Sequence, residues 1–288
     1  RLRRDSGLEL HPELVHAQFI SCDSGRRALR NIYQSYCDVA AEAGLPLLLC
    51  APTWRANRER VAQAGATLGI NSQAVDFMNG FRAEQETTGV VIGIGGIIGC
   101  KNDCYLPGEA LSSDESEEFH SWQISELAGA GVDFLMASTL PDVGEAIGIA
   151  KAMSETSVPY IINFVIDRSG CVLDGTPLGE AMSLVDESAT RRPLGFMVGC
   201  SHPVFLDPVA QPSSLFERLV GFQGNASSRD QTDLDGDSVM QVDDISEWAT
   251  AMLNLNERYG VKILGGCCGT GVEHLKRLSA LRDQHRAG

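Results

Sequence analysis

The feature that most constrains this chain is the repeated alternation of short, uniformly apolar runs with longer helical patterns. "PLLLC" (46–50), "GVVIGI" (89–94), "VDFLMA" (132–137), "PYIINFVI" (159–166), "LGFMVG" (194–199), "RLVGFQ" (218–223) and "VKILGG" (261–266) are apolar nearly throughout. A strand with one wet face alternates apolar and polar residues, whereas a strand covered on both faces does not. These runs therefore read as buried parallel strands. Between them lie helical patterns such as 28–44, closed by Gly44, a residue suited to the left-handed conformation after a helix. The segment 113–131 opens with Ser113, Asp114 and Glu115, which puts acids in a first helical turn. Further helices are expected over 141–153, 177–188, 244–260 and 271–285. Counting the polar "RLRRD" (1–5) as a weak first strand gives eight strands. Eight strand–helix units in 288 residues match the size of a single (β/α)8 TIM-type barrel. A doubly wound open sheet is the alternative. No linker or low-complexity tract divides the chain, so one domain over 1–288 is expected.

Composition narrows the function. A formal charge of −15 disfavours nucleic acid, whose phosphates need a basic face, and an anionic membrane surface. The longest apolar run, "GVVIGIGGIIG" (89–99), is about half of what a membrane span needs. The basic start is followed by no apolar segment long enough for a secretory signal. The nine cysteines are an odd number scattered through a long chain. That pattern fits free thiols or a metal site in a reducing compartment, and the expected location is cytoplasmic.

In a barrel the reactive side chains gather at the C-terminal ends of the strands. Asp5, Thr53, Ser138, Cys200, Asn225 and the pair Cys267–Cys268 fall there. In the eight-strand count Cys200 follows the sixth strand and the pair follows the eighth, so three thiols can face one point. Adjacent cysteines in a regular strand would point to opposite faces. The flanking Gly265, Gly266 and Gly269 relax that constraint, because glycine tolerates backbone angles other residues avoid. Three sulfurs with one open position form the pattern of a catalytic zinc site.

Other motifs read more plainly. Cys22, Cys37, Cys50 and Cys171 are expected to be inert small hydrophobes. "CKNDC" (100–104) lacks the two-residue gap of zinc knuckles and redox pairs, and reads as a loop with incidental cysteines. "GIGGIIG" (93–99) lacks the third glycine of a phosphate loop, since Ile98 stands in its place, and reads as a strand end. "DQTDLDGDSVMQVDD" (230–244) does not place glycine as a calcium loop requires, and reads as a solvated loop. His202 suits a ligand, a base or a structural donor, and the structural role is the plainest.

"VGCSHP" (198–203), "GNASS" (224–228) and above all "LGGCCGTGVEHL" (264–275) resemble the zinc-dependent homocysteine S-methyltransferases, a family that includes the betaine-dependent and selenocysteine enzymes. "CAPTWRAN" (50–57), "FHSWQISELAGAGVDFL" (119–135) and "LDGTPLGEA" (173–181) are similar to further blocks in family order. The resemblance implies a (β/α)8 barrel holding Zn2+ through Cys200, Cys267 and Cys268. It implies methyl transfer from a sulfonium or ammonium donor to a thiol, with homocysteine the leading acceptor and methionine its product. The donor stays open among S-methylmethionine, S-adenosylmethionine, betaine and a folate. The implied partners are a small-molecule thiol acceptor and a methyl donor, with no nucleic acid and no membrane; a homo-oligomer is allowed.

Asp5, Thr53, Ser138, Thr139 and Asn225 are the expected substrate-binding residues. Asp5 matches the family's early aspartate. Ser138 and Thr139 stand where the family carries Glu-Thr, Gly199 replaces an asparagine before the first cysteine, and "GGIIGCKNDCYLP" replaces Gly-Pro-Tyr text. Three other readings stay open, the first two favoured by the lost glutamate. The chain could accept a thiol without an amino acid head, it could be a zinc-binding or thiol-sensing barrel without turnover, or it could be a metal-free barrel enzyme.

Overall fold

A computed structural model describes residues 8–230 and 241–287. Asp5, the candidate strand 1–5 and most of the acidic run 230–244 lie outside these residues. Seven parallel strands form one sheet in sequential order: β1 (Leu47–Ala51), β2 (Ile92–Gly99), β3 (Phe134–Leu140), β4 (Tyr160–Phe164), β5 (Gly195–Ser201), β6 (Leu219–Gly224) and β7 (Ile263–Gly266). All seven apolar runs are strands. Among the described residues the helices are α1 (Asp23–Ala43), α2 (Arg58–Gln63), α3 (Ile70–Glu84), α4 (Ser113–Gly129), α5 (Val143–Ser154), α6 (Leu178–Ser188), α7 (Ser213–Arg218), α8 (Ile245–Tyr259) and α9 (Val272–Ala287). None is long and apolar enough to cross a membrane.

The sheet is curled. Phe134, Met136, Ile161 and Met197 form a small buried cluster on its inner face, joined by Cys50 of β1, Ile97 of β2, Val220 of β6 and Ile263 of β7. Side chains from the first and last described strands can share one cluster only if the sheet bends around it. The outer face packs against the helices in the main core, which includes Phe81, Leu127, Ile149, Val185 and Trp248. Among the described residues the expected eight-stranded count is therefore seen as seven strands in sequential order.

Local chemistry explains the element ends. Gly44 and Gly260 close α1 and α8 at φ 60° and 76°, the left-handed state expected of Gly44. The helix α4 starts at Ser113, as the sequence suggests, and is capped by Ser112, whose side chain and Glu115 form a reciprocal capping box. Asp142 and Asp244 cap α5 and α8 by accepting backbone N–H groups.

Candidate active site

Two irregularities, at the ends of β3 and β5, shape the site. Ala137 pairs with Ile162 and Leu140 with Phe164, so β3 carries one residue more than β4 over that step. Gly199 pairs with Gln223 and Ser201 with Gly224, so β5 carries an extra residue at Cys200. Such bulges bend a strand and re-aim a side chain. Thr139 and Cys200 at these steps have φ of 59° and 50°. Non-glycine residues seldom adopt such angles, least of all β-branched threonine, and the strain is of the kind that clusters at functional sites.

The bulge turns Cys200 toward the turn after β7. Cys200, Cys267 and Cys268 present sulfurs that all lie within 4.8 Å of one another. The adjacent cysteines can converge because they stand beyond β7 in a turn, where strand alternation no longer applies. Gly269 in that turn has φ 77°, and Thr270 folds back over Gly266, leaving no room there for a Cβ. The Thr270 hydroxyl donates to Cys267 O at 2.8 Å.

Asn225 links the two cysteine-bearing segments. Its Nδ2 donates to Cys200 O at 2.8 Å, and its Oδ1 accepts the Cys268 N–H at 3.0 Å. Trp248 Nε1 donates to Asn225 O at 3.0 Å, which fixes the linker from behind. Thr53, Ser138 and Thr139 lie at the ends of β1 and β3, all buried. Thr53 spends its hydroxyl on Ile97 O at 2.8 Å. Trp54 Nε1 donates to Thr139 Oγ1 at 3.0 Å, joining the two strand ends.

The thiols form a hydrogen-bonded set. Cys200 donates to Cys267 and Cys268 and is held well above the ordinary thiol range. Cys267 accepts from Cys200, which lowers it, but donation to Cys268 and burial outweigh this and raise it. Cys268 accepts from both and is pulled down to about 3. Three sulfurs this close resist carrying three negative charges without a cation among them.

All nine cysteines are free. Cys100 and Cys104 are not part of the three-sulfur cluster, and burial pushes both thiols up, Cys104 to about 12. His202 is no member of the cluster either. Its Nδ1 accepts the Val204 N–H at 3.4 Å, so its structural role is that of an acceptor, not the donor expected. Sequence reasoning missed Tyr105, whose hydroxyl is pushed up chiefly by the nearby Cys200 thiol and by burial. Its position directly after Cys104, in the segment that departs most from the family text, was the available signal.

The chain is similar to known proteins along most of its length. It is 28% identical over 185 residues to homocysteine S-methyltransferase YbgG of Bacillus subtilis, covering 61% of this chain and 55% of that protein. It is 24% identical over 189 residues to homocysteine S-methyltransferase 4 of Zea mays, covering 61% and 52%. The matches thus span about half the length of these curated relatives. In fold it is similar to the metallated form of the homocysteine methyltransferase MmuM from Escherichia coli, with a TM-score of 0.70 at 19% identity, covering 96% of this chain and 91% of that one. The oxidized form of MmuM gives 0.72 at 18%, covering 96% and 90%. A family profile described as homocysteine S-methyltransferase matches residues 3–281, and the chain belongs to that family.

Proposed function

We propose that this chain is a zinc-dependent S-methyltransferase whose leading acceptor is homocysteine, giving methionine. The observation that carries the reading is the convergence of three thiols from two strand ends, within 4.8 Å, in a member of this family. The donor set fits the ion. Tetrahedral zinc with bonds of about 2.3 Å wants sulfurs about 3.8 Å apart, and soft thiolates suit it. Among the described residues no fourth His, Cys, Asp or Glu joins the set, which leaves one position for a ligand from outside. Cys200, Cys267 and Cys268 would hold the ion. Zinc supplies the charge that favours the thiolate of an acceptor at neutral pH, and the thiolate is the nucleophile.

The protein's own part is alignment. The Cys200 bulge and the Asn225 bridge fix two strand ends in one geometry, so that sulfur, methyl group and leaving group can be brought into line. Thr53, Ser138, Thr139 and Asn225 surround or support the acceptor, with Asp5 completing the set. The seven described strands are taken as part of a (β/α)8 barrel that makes one domain. The proposed setting is cytoplasmic, with small molecules as partners.

Metal analysis and a screen of thiols against methyl donors test this reading together. The purified protein should carry about one zinc per chain. Cys200→Ala, Cys267→Ala and Cys268→Ala should each lose most of the metal and all transfer, while the thermal midpoint moves little, because the thiols sit at the sheet's rim. Cys100→Ser should keep full zinc. Zinc retained by the Cys267→Ala, Cys268→Ala double variant would end the reading.

The neutral side chain of Ser138 favours a second reading, a thiol acceptor without an ammonium head, and the same screen separates the two.

A further inference from the structure

Arg55, four residues beyond β1, is a buried cation that forms no ion pair among the described residues. The acids on the segments around it are engaged elsewhere. Glu59 faces Lys101 Nζ at 3.7 Å. The fully buried Glu145 accepts the Lys101 and Leu111 N–H groups at 2.7 and 3.4 Å and sits 3.0 Å from His120 Nε2. A charge taken out of water without a counterion costs free energy unless other contacts offset it. The chain offsets it only in part. Arg55 Nη1 donates to Cys100 O at 2.6 Å and Lys101 O at 3.1 Å, and the guanidinium stacks on the Trp54 ring at 4.2 Å.

Those contacts use one nitrogen and one face. A guanidinium has five N–H groups, and the three on Nε and Nη2 have no partner among the described residues. These two nitrogens form the edge that pairs with both oxygens of a carboxylate. Neither is sealed in: the fully buried side-chain nitrogens without partners belong to His120, His202, His274 and Arg282. The arginine also stands beside the expected substrate residues. Trp54, under the guanidinium, donates Nε1 to Thr139 Oγ1 at 3.0 Å and lies 3.4 Å from Ser138 O. Gly99 pairs with Ser138 in the sheet, and a Cβ there would fall 2.6 Å from the same Nε1. The indole therefore spans the ends of β2 and β3, with a cation on its face and the neutral Ser138 at its edge. An ammonium meets no acid there among the described residues, whereas a carboxylate meets a prepared fork.

We propose that Arg55 binds the carboxylate of the acceptor, and that the acceptors are thiols bearing a carboxylate, with or without an amino group. This deepens the proposed function and rests on it. Homocysteine belongs to the class, and so does 4-sulfanylbutanoate, the same chain without the amino group. Propane-1-thiol, which has neither group, does not.

Calorimetric titration of zinc-loaded protein with these three thiols is the test. Hydrogen bonds to a charged group correspond to about 10–100-fold in affinity, so both carboxylates should bind tighter than propane-1-thiol by that factor. Arg55→Gln should remove most of the margin, and Arg55→Lys, which keeps the charge without the fork, should retain part of it. Because Arg55 also holds the Cys100 and Lys101 carbonyls, propane-1-thiol is the control, and its affinity should be unchanged in both variants. Should Arg55→Gln lose propane-1-thiol as well, the margins in the unaltered protein and in Arg55→Lys decide. Equal affinity of the unaltered, zinc-loaded protein for 4-sulfanylbutanoate and propane-1-thiol overturns this inference and leaves the proposed function standing. A raised KM for the methyl donor in Arg55→Gln, with thiol affinities unchanged, assigns the guanidinium to the donor and also overturns it. An unaltered protein that takes up no zinc overturns the proposed function and the acceptor assignment with it.

Discussion

Cys200 and Thr139 occupy the same uncommon backbone state at the ends of β5 and β3. Ser138 shares the β3 bulge with Thr139. A buried carboxylate there could face a substrate ammonium, and hydrogen bonds to charged groups contribute about 1.5–3 kcal/mol. Serine is neutral and shorter. Ser138→Glu is therefore expected to raise kcat/KM for homocysteine by about tenfold or more, since about 1.4 kcal/mol is a factor of ten. Thiols lacking the amino group should gain nothing. The check is kcat/KM for both thiol classes in both proteins, and efficient homocysteine use that the glutamate impairs would show recognition rebuilt elsewhere. The cysteine triad was legible because its spacing brings it to two strand ends. The bridging amide of Asn225 was not, because its partners are backbone groups of residues 25 and 43 positions away.

Strand and helix patterns announced most elements, and the exceptions have physical causes. The strand β2 runs on to Gly99, as the reading of 93–99 as a strand end expects, because β1 pairs with it as far as Gly96 and β3 from Gly95 to Gly99. Pairing overrides the weak strand preference of glycine. The helix α1 begins at Asp23 rather than 28, with Cys22 Sγ accepting the Gly25 N–H at 3.4 Å, a cap that "DSG" disguises as a turn. The long helix α3 went unremarked in the sequence; its buried Ile70, Ala74, Val75, Met78 and Phe81 form one helical face. Between β4 and β5 a close fit exists that neither strand shows alone. A Cβ at Gly199 would lie 2.8 Å from Asn163 Nδ2 and closer still to Oδ1. Asn163 is fully buried and donates to Gln223 Oε1 at 2.9 Å. Gly199→Ala should cost about 1–3 kcal/mol in chemical denaturation through overpacking. The cost should shrink when Asn163→Ala removes the obstructing amide. Additive effects within about 0.5 kcal/mol would mean the two sites do not meet.

For the molecule as a whole, desolvated imidazoles set an acid limit to stability. Burial lowers His274, whose ring edge packs on Trp248 with centroids 5.2 Å apart, and desolvation lowers half-buried His16 from 6.5 to about 4. Each folded-state pKa lies below its unfolded value, so the unfolded chain binds protons first as pH falls. Stability from these groups is intact above about 6.5 and declines below it, for His16 until about pH 4. Metal-free protein should therefore lose denaturation free energy between pH 6.5 and 4, and His16→Gln should flatten that slope. An unchanged slope in the variant would assign the acid sensitivity to carboxylates instead.

The sequence by itself determined the layering. Apolar runs without alternation point to strands covered on both faces, and their regular interleaving with helices points to a parallel sheet. Its sequential order, against the doubly wound alternative, is seen in the strand pairing. The sequence also determined that two vicinal cysteines and a third could meet, because strand ends in such a sheet share one rim. Only the tertiary structure decided what holds the meeting point. The bulges at Thr139 and Cys200 exist through pairing between strands, and the Asn225 bridge joins segments far apart in sequence. Glu145 reaches Lys101 and Leu111 from 44 and 34 residues away. Periodicity records which face a residue turns inward, but a hydrogen bond between distant residues leaves no periodic trace.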